Sequence, residues 1–365
     1  MHSQEPPVHP VRTGSVRSSP TLAVVGSRSA DLHYVPYGDL AGAPSVVVDG
    51  SPAPGTVLCL SHWPGIASPP EFAADLSAEM AFAYLGAFDR HGDAEVVSNN
   101  HFDQDGLVGL FALVAPTEAL ARRDLLVEVA RAGDFAVTAS RRAARISMAL
   151  SAFADPERSP LGDLPADGDA MTAQLYRDLL GRLPEVCDRP ERYRELWGDE
   201  DAMLRVSEAL LASGAATITE LPDIDLAVVS VPEDAPAGGG HRFAGQWVTG
   251  LHPMGLHNAT ERGALLTVQG RHYELTYRYE SWVQYRTRAV RPRVDLAPLA
   301  ERLSAAEVAA GGTGPWVTQR VSALTPTLSR ADGGESRLEP EAVQSAVETH
   351  LRSAPPAWDP YRSTG

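Results

Sequence analysis

Lysine is absent: all 31 basic side chains among the 365 residues are arginine. This removes Schiff-base chemistry on the protein and pyridoxal-phosphate enzymes of the usual kind. It also removes the Walker A loop and the strand lysine of the protein kinases. A general base must then be His, Asp, Glu, Tyr or Cys. Cysteine is scarce. Cys59 and Cys187 both lie in apolar segments and cannot build a disulfide framework, which points to a reducing cytoplasm. Long apolar runs are missing too, so nothing approaches the ~18 residues of a membrane span. The first 20 residues have no apolar core of the signal-peptide kind and read as a disordered tail. No G-x-S-x-G elbow is present, which weakens a serine-hydrolase reading.

What is there is globular: 44% hydrophobic and 21% charged residues. Length alone suggests about two domains. The net charge of −16 argues against nucleic acid and against anionic membranes as partners. It leaves a small anionic substrate as the expected partner, with a homodimer as an open assembly state.

Residues 21–155 alternate short apolar runs with helical patterns. TLAVV at 21–25, SVVV at 45–48, TVLCL at 56–60 and EVV at 95–97 read as strands. Helices are expected over 75–86 (capped by Asp75 or Ser77), 107–115, 117–133 (from Thr117 to Gly133) and 140–154. Alternation of this kind indicates a parallel sheet. Residues 155–170 have linker composition, and helices follow over 171–183 and 189–213. After 215 the pattern turns to strands: ATITEL, DLAVVSV, then ALLTVQG and HYELTYRYE joined at Gln269-Gly270 as a hairpin. Helices at 296–310 and 339–352 flank a late strand, VTQRVSAL. The expected fold is α/β: a parallel-sheet domain with flanking helices over 21–155, a helical linker region over 156–214, and an α+β domain with antiparallel strands over 215–365.

The densest chemistry is Asn100-His101-Phe102-Asp103-Gln104-Asp105-Gly106, between a strand and a buried helix. His101, Asp103 and Asp105 alternate, so an extended loop projects all three to one side. One imidazole with two carboxylates suits a divalent cation: manganese first, with zinc or iron as the other candidates. In an open α/β sheet such a loop lies at the carboxyl edge, where ligands bind. Ser61-His62-Trp63-Pro64-Gly65 follows TVLCL. If 56–60 and 95–97 are neighbouring parallel strands, His62 faces the same site. Asp134, after a helix end, is a third candidate. An EF-hand reading fails, since its twelfth position would be Ala112 and its flank is a strand.

His101-x-Asp103-x-Asp105-Gly106, followed by LVGLFAL, resembles the first motif of the DHH phosphoesterase superfamily. The resemblance implies His101, Asp103 and Asp105 as ligands of a divalent pair, Asp134 in place of the second-motif aspartate, and hydroxide attack on phosphorus. Gly238-Gly239-Gly240-His241-Arg242-Phe243-Ala244-Gly245 is similar to the glycine-rich substrate-holding motif of that superfamily's associated C-terminal domain. The Asp-His-His triplet of the superfamily is absent. The whole chain also looks like an uncharacterised bacterial family marked by S-H-W-P-G and N-N-H-F-D-x-D-G segments.

Leu251-His252-Pro253-Met254-Gly255-Leu256-His257-Asn258-Ala259-Thr260 offers further polar groups. Asn100, His241, Arg242, His257 and Asn258 are the expected substrate-binding residues. Arg271, Arg278, Arg286 and Arg288 are candidates for an anion clamp. The expectation is a cytoplasmic, two-domain, metal-dependent hydrolase. Its catalytic residues would be His62 and Asp105, and its metal ligands His62, His101, Asp103, Asp105 and Asp134. Two other classes stay open: a metalloenzyme acting on carbon (amidohydrolase, lyase or Fe(II) oxygenase) and a non-catalytic ligand-binding protein.

Overall fold

The computed structural model describes residues 32–87, 94–235, 241–242, 245–246 and 250–362. The expected strand at 21–25 and Gly238-Gly239-Gly240 lie outside them. So do the side chains of His241 and Arg242.

The first sheet is parallel and four-stranded: β1 (His33–Tyr34), β2 (Ser45–Val48), β3 (Thr56–Leu60) and β4 (Val96–Ser98). Its order is β1-β4-β2-β3. β2 therefore lies between β3 and β4, so the two strands that would bring His62 to the His101 loop as direct neighbours are separated by one strand. Val46, Val47 and Val48 are fully buried, as a central strand covered on both faces requires. Helix α1 (Ser77–Leu85) lies between β3 and β4, and α2 (Gln104–Val114), α3 (Pro116–Leu120), α4 (Arg123–Phe135), α5 (Arg141–Phe153), α6 (Gly168–Asp188) and α7 (Arg194–Ser213) follow β4 in the chain.

α2 is buried at every position from Gln104 to Leu113, so its sequence is apolar all round. Each of its buried Leu, Val and Phe side chains contributes roughly 1.5–3 kcal/mol. Gly109 permits its close approach to β2, since a Cβ there would fall 2.5 Å from Val48 Cγ1. The expected helix over 117–133 is two helices, α3 and α4. The second runs on to Phe135 and ends at Ala136 in the left-handed region (φ 49°), not at Gly133. α1 begins after Leu76, and neither Asp75 nor Ser77 caps it by its own side chain.

The second sheet has six strands: β5 (Thr217–Leu221), β6 (Leu226–Val231), β9 (Ala264–Gln269), β10 (His272–Tyr277), β12 (Trp316–Thr318) and β13 (Thr327–Arg330). The order is β12-β13-β10-β9-β6-β5. The expected β9–β10 hairpin is present, and only the β6–β9 pair is parallel. β13 was not foreseen. Pairs β7 (His241–Arg242) with β8 (Gly245–Gln246) and β11 (Arg293–Val294) with β14 (Pro356–Trp358) stand apart. α9 (Ala297–Ala309) and α10 (Pro340–Ser353) supply Leu299, Leu303, Val343, Val347 and Leu351 to a core under this sheet. The short α8 (Pro253–His257) forms inside a stretch expected to be a loop. Tyr279 and Val283, from after the hairpin, join the core of the first sheet. The later half of the chain thereby reaches the first sheet's carboxyl edge.

Candidate metal centre

Three parallel strands deliver three segments to that edge. β2 ends at Asp49, β3 runs into Ser61-His62, and β4 runs into Asn99 to Asp103. Asp49 holds a left-handed backbone (φ 51°), which is uncommon for a residue with a side chain. The next residue is glycine, and a Cβ on Gly50 would fall 2.3 Å from Asn100 Oδ1, so a side chain there would push the Asn100 amide aside.

Asp49 is the centre of the site, and the sequence reading missed it. Its carboxylate is 1% exposed and faces two imidazoles. His62 Nε2 lies 3.4 Å from Oδ1, and His101 Nε2 lies 3.4 Å from Oδ2. His62 Nε2 is also 3.5 Å from Asp134 Oδ2 and 4.0 Å from Asp105 Oδ2. His101 Nε2 is 3.0 Å from Asp103 Oδ2. Two ligand-like triads result, Asp49–His62–Asp105 and Asp49–His101–Asp103, and either could hold a metal ion. The first is wholly buried. The second reaches the surface, with the side chains of His101 and Asp103 33% and 19% exposed.

The structure thus brings together His62, His101, Asp103, Asp105 and Asp134, but not as an alternating loop. α2 starts at Gln104, so Asp105 is already helical. Asp103 is the helix N-cap, its Oδ1 accepting from Gly106 N at 2.8 Å. Asp105 turns toward α1, taking the backbone N–H of Ser77 on Oδ2 (2.7 Å) and of Ala78 on Oδ1 (2.9 Å). It replaces the cap that α1 lacks, and a carboxylate suits the positive end of that helix. Asp134 sits in the last turn of α4 rather than beyond it.

His62 has a defined tautomer. Its Nδ1 is 2.5 Å from the carbonyl oxygen of Asp75, so Nδ1 carries the proton and donates it there. Nε2 then faces the carboxylates. Burial alone would lower the pKa of His62, but Asp49 first and Asp105 next outweigh it, raising it to about 9. His101 is likewise raised to about 9 against the effect of burial, chiefly by Asp103 and then Asp49. The opposing pull of burial on Asp49 is overcome by His62, His101 and the Ser77 hydroxyl, which donates at 2.8 Å, so its pKa falls. Asp105 goes the other way. Burial and the charge of Asp49 push its pKa well up, against His62 and the N–H of Ala78.

Aromatic rings wall the site. The Trp63 ring lies 5.1 Å from that of His101, and Tyr279 lies edge-on 5.9 Å from His62. Tyr176 donates its hydroxyl to the carbonyl of His101 at 2.8 Å. Asn99 Oδ1 accepts from His101 N, while Asn100 Oδ1 is buried without a hydrogen-bond partner.

The expected substrate groups of the later chain are placed differently. His257 donates from Nδ1 to the carbonyl of Phe135 (2.8 Å). Asn258 brackets Thr138, with Oδ1 on its N–H and Nδ2 on its carbonyl. Both residues brace the turn after α4, next to Asp134. Three of the clamp arginines are engaged with acids: Arg271 with Glu339, and Arg278 and Arg288 with Glu280. Arg288 lies 3.6 Å from Glu280, and Arg286 contributes a backbone N–H to Asp75.

Asp49 had a signal in the sequence: an acidic residue at the end of an all-buried strand, followed by glycine. Without the strand order, Asp49-Gly50 reads only as a turn. No curated protein and no solved structure matches this chain. The DUF6687 family, a family of unknown function, matches residues 30–362, and the chain belongs to it.

Proposed function

We propose that this chain is a metal-dependent hydrolase acting on a small anionic molecule, with two cation positions that share Asp49. One observation carries the reading: Asp49 Oδ2 and His62 Nε2 are buried, face the same cluster and make no hydrogen bond. Buried polar atoms are almost always bonded. A cation at each position would satisfy both, one on Asp49 Oδ2 beside His101 and one on His62 Nε2, which ligates once it gives up its proton while Nδ1–H stays on the Asp75 carbonyl. The donor set, imidazole with carboxylates, suits Mn²⁺, with Zn²⁺ or Fe²⁺ next.

A divalent ion here would lower the pKa of a bound water toward ~7, supplying hydroxide without a nucleophilic side chain. The protein's residues divide the remaining work. Asp49, His62 and Asp105 hold the buried position. Asp49, His101 and Asp103 hold the exposed one, the side from which substrate enters. Asn100 presents its amide beside Gly50, where either end can meet a substrate oxygen or a ligand. The narrower reading, a phosphoester substrate, rests on the H-x-D-x-D-G resemblance. Each triad holds one His and two carboxylates, the reverse of the two-His, one-carboxylate set of Fe(II) oxygenases, which favours hydrolysis. Free, buried cysteines with thiols pushed up to about 12 fit a reducing cytoplasm.

Elemental analysis of purified protein, followed by Mn²⁺ and Zn²⁺ titration after EDTA stripping, tests the proposal. The wild type should take up one or two ions per chain, and Asp49→Asn should take up none while staying folded. A wild type that binds neither ion sinks it.

A further inference from the structure

His62 is gripped by groups far from its own motif. Its N–H donates to Ser77 Oγ at 3.3 Å. Its carbonyl accepts from Gln284 N at 2.8 Å. Its Nδ1 donates to the carbonyl of Asp75. Asp75 is itself held by its buried carboxylate, 1% exposed. Oδ1 accepts the backbone N–H groups of Arg286 (2.6 Å) and Thr287 (3.0 Å), and Oδ2 accepts the Thr287 hydroxyl (2.6 Å). All three donors come from one short segment more than 200 residues later in the chain. The segment grips His62 directly at Gln284 and indirectly through Asp75.

We infer that Asp75 is a positioning residue: anchored by segment 284–287, it fixes the carbonyl that orients the His62 ring, and so sets the metal affinity of the buried position. The inference rests on the metal reading proposed above. The physical logic is short. Asp75's carbonyl and carboxylate belong to one residue, so three hydrogen bonds on the carboxylate immobilise the carbonyl. That carbonyl fixes both the tautomer and the tilt of His62. Groups that orient a ligating imidazole in this way typically change metal affinity ~10–100-fold when removed. The later half of the chain thereby controls a site whose ligands all come from the earlier half.

The test uses the full chain, stripped with EDTA and titrated with Zn²⁺ by calorimetry. The variants are Asp75→Ala, Thr287→Val and Thr287→Ser. Zn²⁺ should bind Asp75→Ala at least ~10-fold more weakly than wild type. Thr287→Val, which removes one hydroxyl from an exposed residue, should lose about threefold, the share of one hydrogen bond. Thr287→Ser should restore wild-type affinity. Nitrogen chemical shifts of the His62 ring in the Zn²⁺ form should report a protonated Nδ1 in wild type and a disturbed ring in Asp75→Ala. Equal Zn²⁺ affinity in wild type and folded Asp75→Ala overturns the positioning role and leaves the metal reading standing. If Asp75→Ala does not fold, equal affinity in Thr287→Val overturns it. A wild type that binds no Zn²⁺ overturns the metal reading itself.

Discussion

Filling both positions with divalent ions at pH 7 should expel about two protons, one from each imidazole. His62 and His101 are each raised to about 9, because nearby carboxylates outweigh the effect of burial. At pH 7, two units below, each imidazole is ~99% protonated in the metal-free protein. The nitrogen facing the carboxylates is Nε2 in both, so proton and cation compete for the same atom. Asp105, whose pKa burial and the charge of Asp49 push well up, adds to that count whatever proton it still carries. The apparent affinity of either position should therefore rise ~10-fold per pH unit from 7 until about 9, then level off. Calorimetric titration of the stripped protein with Zn²⁺, in buffers of different ionisation enthalpy, gives the proton count directly. Stability supplies a second readout. A histidine whose folded pKa is raised stabilises fully below its unfolded pKa of ~6.5 and loses that contribution as pH climbs through about 9. Metal-free protein should thus melt at progressively lower temperature between pH 6.5 and 9, while the Zn²⁺ form should not. Release of no protons at pH 7 would mean the imidazoles are neutral before metal arrives, and the electrostatic account of the cluster would be refuted.

Asp105→Ala should destabilise even the metal-free protein by roughly 3 kcal/mol, because two buried N–H groups at the start of α1 lose their acceptor. Urea unfolding in EDTA checks this, and an unchanged midpoint would leave Asp105 with no structural role. Arg293 is fully buried and donates to Ser281 Oγ and to the carbonyls of Arg278, Val321, Ala323 and Leu324, with burial pulling its pKa down. Arg293→Met should cost about 3 kcal/mol, and amide exchange should rise first over 319–326, where three of those carbonyls lie. Gly109→Ala should cost ~1–3 kcal/mol by pressing a methyl group into Val48. A melting temperature equal to that of wild type would show that α2 and β2 can separate freely.

The sequence was legible where a local pattern has one outcome. Alternating apolar runs and helical periods produced the parallel sheet, and Gln269-Gly270 between two apolar runs produced the β9–β10 hairpin. His62 and the His101 loop were placed at one edge because loops after parallel strands emerge together. What failed depends on distant contacts. Strand order is one case: β2 lies between β3 and β4, and that alone makes Asp49 central. Polar satisfaction is another. His257 and Asn258 read as site residues by type, yet backbone groups at Phe135 and Thr138 consume them. The break between α3 and α4 carries no proline or glycine at Ala121-Arg122, so periodicity runs straight through it. Asp75 looked like a helix cap, and its partners lie 211 and 212 positions away.

The missing lysine sharpens the case for a cation at Asp49. Arginine is the only fixed positive side-chain charge, and elsewhere it meets three of the buried acids. Arg141, Arg145 and Arg205 converge on Asp201, Arg278 pairs with Glu280, and Arg330 lies 3.0 Å from Glu307. A guanidinium is bulky and rigid, so it serves where a helix surface or a strand can carry it to the acid. At the carboxyl edge of the first sheet the ion pairs of Asp49 and Asp105 run to imidazoles instead, and Asp134 also faces His62. Imidazole differs from guanidinium in one chemical respect that matters here: it can give up its proton and still ligate. Three buried carboxylates around two such groups form a cluster that stays neutral enough to fold when protonated and exchanges those protons for a divalent charge. An arginine at either histidine position would neutralise the acids equally well and could never be displaced. His62→Arg should therefore preserve the metal-free fold less disruptively than its size suggests while abolishing Zn²⁺ uptake at the buried position. Uptake unchanged from wild type would show that His62 is not a ligand.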